Sequence, residues 1–480
     1  MDVLEAAFHP RAIAVAGASE NPFSFGYHYV RHLLDYGYPG HIYPVNPAHQ
    51  AILGLKAYPD LASVPGPVDY VICCLPAPKV LDLLGQCPAQ GVKVVHLLTA
   101  RFSETGRQEA TDLENKILQE AKRLDIRLIG PNCMGIYYPR GGIAHGYEMP
   151  QEAGTVGAVF QSGGLSDLLV RYGELQGLRF SKVISYGNAL DLDESDFLRY
   201  LAHDDETKVI ATYFEGVKDG RKLLNVLAEA VRTKPVIAIK GGRSAAGTKA
   251  AASHTAAIAG SDDIWKAAFR KAGVIQARGM SELVDFLVAF SYLPPIKGNR
   301  VAIAGGGGGM SVTAADACEE AGLTVPPLPP EIREELKTKV PEVWDWLGNP
   351  VDGSIMGGIS SDFQSGPGQI PRMLAGSPHF DLIIAQIAEE APLPKEIWTA
   401  IVHMQAEEML NLHREQLKPL LAVVTDGKFG SERFQDWRWK ALAEQRGRLV
   451  AAGIPTYATV AEAAKAARQV IDYWQTRAET

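Results

Sequence analysis

Cysteine is scarce, with five in 480 residues: Cys73, Cys74, Cys87, Cys133 and Cys318. Their number is odd and no CxxC pair occurs, which sets aside a disulfide framework and a zinc site. Long apolar runs are missing too. None approaches the ~18 residues needed to cross a bilayer. The opening ten residues lack the basic and apolar stretches of a secretory signal. There is no excess of positive charge: Lys plus Arg is 47 against 55 for Asp plus Glu, net −8. That excludes a general affinity for nucleic acid or membrane surfaces and leaves room for a local basic pocket. The expectation is a soluble, cytoplasmic protein with no bound metal.

Glycine is abundant, at 47 residues where ordinary usage is about 7%. Tight turns and close backbone approaches are therefore expected. At roughly 150 residues per domain, the length corresponds to about three domains. Short β-branched runs alternate with helical patterns throughout. The first third reads as strands at 12–15, 41–43, 70–73, 93–97 and 127–129, with helices at 26–36, 78–90 and 106–124. A second unit reads as strands at 155–160, 182–185, 209–214 and 235–240 with helices at 165–175, 219–232 and 262–272, the last capped by Ser261. A third has strands at 300–304, near 382–386 and at 419–425. Gly/Pro-rich stretches at 139–154 and 292–299 read as linkers. Such βαβ alternation predicts an α/β protein with parallel, doubly wound sheets that bind ligands at the strands' carboxyl ends. The domains are expected at 1–145, 154–292 and 299–475.

Several candidate sites fall at those ends. Gly17-Ala18-Ser19 follows the first strand and opens a helix, where small residues let backbone N–H groups approach phosphate. The turn is not GxGxxG. The second strand ends in Pro44-Val45-Asn46-Pro47 without the acid that binds a nicotinamide nucleotide's ribose, so NAD is disfavoured. In Gly130-Pro131-Asn132-Cys133, Asn132 either meets a ligand amide or caps the turn, and Cys133 reads first as a small buried hydrophobe. Ser162-Gly163-Gly164 opens a helix after another strand, as a phosphate cradle or simply a well-capped start. Glu215 ends strand 209–214, at a site position or as a solvated loop carboxylate. His254 lies in a loop of small side chains with no evident core anchor. A neutral imidazole is a competent nucleophile toward phosphorus when a carboxylate fixes its tautomer, and Glu215 is the candidate carboxylate. The run Gly305–Gly309 after a strand reads as a phosphate cradle or a tight turn, and the Trp344–Trp346 and Phe434–Trp439 clusters as core packing or a subunit contact.

Taken in order, these motifs, with Gln161 before Ser162, Gly216 after Glu215, Ser253-His254-Thr255 and Asn349-Pro350-Val351-Asp352 added, resemble the ADP-forming acyl-CoA synthetases, relatives of succinyl-CoA synthetase. In organisation the chain resembles the separate α subunit of the archaeal-type acetyl-CoA synthetases, over nearly its whole length. The resemblance implies a Rossmann-like CoA-binding domain followed by two flavodoxin-like domains. It implies CoA bound around Gly17, Ala18, Ser19, Val45, Asn46, Pro47, Pro76, Asn132 and Cys133. It makes His254 the transiently phosphorylated histidine, Glu215 its orienting glutamate, and Ser162, Gly163 and Gly164 the phosphate holders. The implied reaction is acyl-CoA + phosphate + ADP ⇌ acid + CoA + ATP. Two departures stand out. The family commonly has glycine where this chain has Ala256, which leaves less room beside the histidine. No segment reads as an ATP-grasp domain, so ADP/ATP and Mg are expected on a separate ATP-grasp β subunit in a hetero-oligomer. The competing reading is a non-catalytic CoA-binding or regulatory protein with the same fold; an NAD-dependent dehydrogenase is a weaker third.

Overall fold

The computed structural model describes residues 3–249, 261–339, 341, 344–353, 370–387, 393–425 and 436–478. The chain divides into two compact units, Met1–Leu283 and Val284–Thr480.

The first unit holds two sheets. In the first, the strands run His41–Val45, Ala12–Ala16, Tyr70–Cys73, Val94–Leu97, Arg127–Ile129 from edge to edge, all parallel. The three inner strands are buried at every position, which is why they read as apolar runs, interrupted by His96 alone. The strand order reverses direction between Ala12–Ala16 and Tyr70–Cys73, and the carboxyl ends of those two strands border a crevice.

The second sheet runs Ile275–Ala277, Val236–Lys240, Val209–Phe214, Val156–Phe160, Phe180–Ser185, Gly135–Tyr137. Its first five strands are parallel; the sixth is antiparallel, with Val183 opposite Tyr137. The reversal here lies between Val156–Phe160 and Val209–Phe214. The two sheets are stitched together along one seam. Asn188 N–H donates to Pro131 O at 3.0 Å, Leu190 N–H to Gly130 O at 2.9 Å and Leu192 N–H to Leu128 O at 3.2 Å. Gly187 (φ +57°) lies so close that a Cβ would meet Pro131 O at 2.2 Å.

The stretch 139–154 is partly buried. The strand before it belongs to the second sheet, and Ile143, Ala144, His145 and Met149 are buried. Its glycines serve close packing: at Gly142 (φ +67°) a Cβ would meet Tyr38 Cα at 2.7 Å. The units divide at Leu283/Val284, inside helix Met280–Tyr292, and Leu293 and Ile296 are buried. Ser261 occupies the N-cap position of Asp262–Ala272 with extended backbone but makes no side-chain capping bond.

The second unit carries a parallel sheet of Val301–Ala304, Leu382–Ile387, Leu420–Val424 and Thr456–Tyr457. The opposite side of Val301–Ala304 is met by single bridges at Thr324 and Val351, which keeps the doubly wound order with a vestigial second strand. Asn349 fastens that edge. Its Nδ2 donates to Val301 O (2.9 Å) and Pro326 O (2.8 Å), and its Oδ1 accepts from Ile303 N–H (2.9 Å). Gly305 (φ +91°) makes the expected tight turn, where a Cβ would meet Gln386 O at 2.2 Å. Trp437 packs edge-on against the buried Trp398 at 5.2 Å, while Trp346 is 77% exposed. The aromatic clusters therefore divide between core and surface. Among the described residues, no helix is long and apolar enough to cross a membrane.

Candidate functional site

Within the first unit the carboxyl edges of both sheets border one cleft of about 1000 Å³. Its walls are residues 23–26, 74–78, 98–101, 107–113 in part, 132–134 and 161–164. Two helices begin on it. Phe25–Asp35 is capped by Ser24, whose Oγ accepts from Gly26 N–H at 3.2 Å. Gly163–Leu175 is capped by Ser162, whose Oγ accepts from Leu165 N–H at 3.4 Å. One cap leaves further first-turn N–H groups free, and the helix dipole adds partial positive charge. Two such starts on one cavity favour an anion. Gly164 faces open space, whereas a Cβ on Gly163 would meet Met134 Cγ at 2.5 Å. The cradle thus needs its first glycine for packing and leaves the second clear.

Glu215 is buried, not solvated. It follows strand Val209–Phe214, the neighbour of Val156–Phe160, so it and Ser162 flank the second sheet's reversal point. Gln161 ties them together: its Oε1 accepts from Glu215 N–H at 2.7 Å and Gly216 N–H at 3.2 Å. Tyr213 OH donates to Glu215 Oε1 at 3.3 Å, and Lys240 Nζ donates to Glu215 O at 2.9 Å. Burial pulls the Lys240 ammonium below its usual range, partly countered by Asp262 and Glu215. His254, its neighbour Ala256 and the rest of 250–260 lie outside the described residues.

The residues expected to hold CoA separate into two groups. Pro76, Asn132 and Cys133 line the cleft. The others build the turn behind it. Gly17 (φ +86°) donates its N–H to Val45 O at 3.0 Å, and a Cβ there would meet Cys74 C and O at 3.1 Å. Ala18 is fully buried. Asn46 Nδ2 donates to Ala18 O at 2.7 Å, and Ser19 Oγ accepts from Asn21 N–H at 3.0 Å. Pro47 continues the chain beyond Val45 and Asn46 and is not among the cleft walls. Asn132 has φ +58° and donates its N–H to Thr99 O at 2.9 Å, so it shapes the turn while bordering the cavity. Cys133 is 4% exposed and burial pushes its thiol up to about 12, which makes it an inert wall.

Three residues escaped the sequence reading. Gln161 stood in the motif only as Ser162's neighbour, although its amide joins the two halves of the site. Lys240 ends a strand of otherwise apolar residues, a signal that could have singled it out. Gly26 lies so near the first turn that a Cβ would meet Gly17 O at 2.0 Å and Ala18 Cα at 2.9 Å. Both are backbone atoms that cannot step aside cheaply. Gly26→Ala is expected to cost about 2–3 kcal/mol of stability. Denaturant melts of the two proteins check this; midpoints that coincide refute it.

Two family models match the chain. A succinyl-CoA ligase-like flavodoxin domain model matches residues 153–290, and a CoA binding domain model matches residues 11–139. The chain is 38% identical to acetate–CoA ligase (ADP-forming) II subunit alpha of Pyrococcus furiosus, over 80% of this chain and 82% of that protein. It is 36% identical to the I subunit alpha of the same organism, over 88% and 90%. A solved dinucleotide-forming acetyl-coenzyme A synthetase 1 of Candidatus Korarchaeum cryptofilum, in complex with phosphate and ADP, superposes with a TM-score of 0.84 at 30% identity. That match covers 100% of this chain and 98% of the other.

Proposed function

This chain belongs to the ADP-forming acyl-CoA synthetases, as an α subunit with a CoA-binding domain, and we propose that it carries the thioester half of the reaction through a phosphohistidine at His254. The observation that supports this most is the pairing of an anion-ready helix start, Ser162–Gly164, with the buried carboxylate of Glu215, joined by Gln161.

In the proposed reaction, acyl-CoA lies in the cleft with its thioester near Ser162–Gly164. An oxygen of orthophosphate attacks the thioester carbonyl, the C–S bond breaks and CoA leaves as thiolate. The N–H groups of the Gly163–Leu175 helix start offset negative charge on the phosphate. A nitrogen of His254 then attacks phosphorus, the P–O bond to the acyl group breaks, and the carboxylate leaves. Phosphoryl transfer asks mainly for in-line positioning and charge compensation. Glu215 is the positioning residue that accepts the proton-bearing ring nitrogen's hydrogen bond and so frees the other for attack. Its place at a strand end, held through Gln161, Tyr213 and Lys240, fits a group that must not wander. The phosphoryl group then passes to ADP, with its Mg, on an ATP-grasp β subunit of a hetero-oligomer.

The chain alone, given acyl-CoA and radiolabelled phosphate, is expected to take up acid-labile, base-stable label. It should form no ATP from ADP until the partner is added. Absence of label on the wild-type protein rejects the reading. ATP formed by the purified chain alone rejects the division of labour.

A further inference from the structure

The cleft carries two arginines that the proposed reaction does not use. Arg101 follows strand Val94–Leu97, and Arg107 is the N-cap of helix Gln108–Arg123; both are exposed on the cleft wall. Several other arginines of this unit pair with acids: Arg11 with Asp69, Arg31 with Asp35, Arg123 with Glu120 and Arg127 with Asp191. Arg101 and Arg107 do not. Among the described residues, Arg107's guanidinium reaches only Thr105 Oγ1, at 3.5 Å, and Arg101's meets no partner.

Their turn is built rather than loose. Arg101 has φ +78°, a conformation unfavourable to any residue with a Cβ. Glu104 holds it there: Oε1 accepts from Arg101 N–H at 2.5 Å and Phe102 N–H at 3.1 Å, and Oε2 accepts from Nδ2 of the buried Asn188 at 2.8 Å. The buried Glu114 accepts from Ser103 N–H at 2.9 Å, and Phe102 is fully buried. Two carboxylates are therefore spent on fixing the backbone, and neither neutralises the arginines. Among the described residues, the only acid on the cleft walls is Glu109. Strain held at a ligand cavity by such clamps accompanies recognition.

We propose that Arg101 and Arg107 bind an anionic group of the thioester substrate remote from the reacting carbonyl, as guanidinium groups bind phosphate or carboxylate. This rests on the cleft's being the thioester site. The anion has two possible sources, the phosphates of CoA or a second carboxylate on the acyl chain. Titration of the full chain with acetyl-CoA, acetyl-pantetheine and succinyl-CoA separates them, using wild type, Arg101→Gly (which suits the left-handed backbone) and Arg107→Gln. If the CoA phosphates are read, both variants bind acetyl-CoA about tenfold or more weakly and acetyl-pantetheine as wild type does. If an acyl carboxylate is read, only succinyl-CoA loses affinity. Variants within twofold of wild type on all three ligands overturn the proposal alone. A wild-type chain that binds none of them overturns the thioester site as well. A thermal midpoint of each variant no lower than wild type's excludes misfolding as the cause of a loss.

Discussion

Replacing His254 with alanine is expected to abolish acid-labile labelling and to lower turnover with the partner by about a thousandfold or more. The nucleophile has no substitute in the proposed reaction, because without it the acyl phosphate cannot pass its phosphoryl group on. Affinity for acyl-CoA should stay within twofold, since the proposed role of His254 is to take up the phosphoryl group and not to hold CoA. Glu215→Gln is expected to slow labelling by about a hundredfold, with CoA titration unchanged. The amide keeps the size of the side chain and its place beside Tyr213, but it loses the charge that favours the required tautomer. Labelling by His254→Ala at the wild-type rate would discard the phosphohistidine. An unaltered rate in Glu215→Gln would discard the orienting role.

Acidification is expected to unfold the first unit well above the pH at which ordinary carboxylates protonate. Among its described residues three imidazoles are buried: His32, His96 and His145. Burial, followed by the neighbouring His28, holds His32 down to about 4. Burial holds His96 to about 4, against a hydrogen bond to Cys133 O. Burial together with His96 and His32 holds His145 to about 3, and both its ring nitrogens lack a partner among the described residues. Released into water, each ring protonates near 6.5. Between those limits the unfolded chain binds more protons, so stability is full above about pH 6.5 and falls as pH drops toward 4. Glu194 acts in the opposite sense, since burial raises it to about 7, but it is one group against three. The net slope is on the order of 1–2 kcal/mol per pH unit, or roughly 10 °C of melting temperature between pH 7 and 5. His145→Phe should flatten that slope. A wild-type melting point independent of pH over this range, or a variant with the same slope, would contradict the assignment.

How much of this was legible beforehand depends on which atoms carry the information. The strand ends were legible because buried parallel strands are written as apolar runs, and Ser162 was legible as a cap because a hydroxyl before a glycine-rich helix start has a local purpose. Glu215 was placed correctly on its strand end, yet its burial was not legible, because its neighbours Gln161 and Lys240 come from the ends of the two adjacent strands. The burial of part of 139–154 was hidden for the same reason. Glycine there answers a neighbour distant in sequence, Tyr38, and composition records the glycine without the neighbour. Arg101 is the sharpest case, since nothing in a sequence announces that an arginine stands at positive φ; that emerges only when Glu104 is seen closing on its backbone.

The seam of backbone bonds from Asn188, Leu190 and Leu192 to the edge at 128–131 has a kinetic corollary. Jaws riveted together along their length do not gape. The cleft they border is therefore expected to admit and release CoA without the two sheets parting.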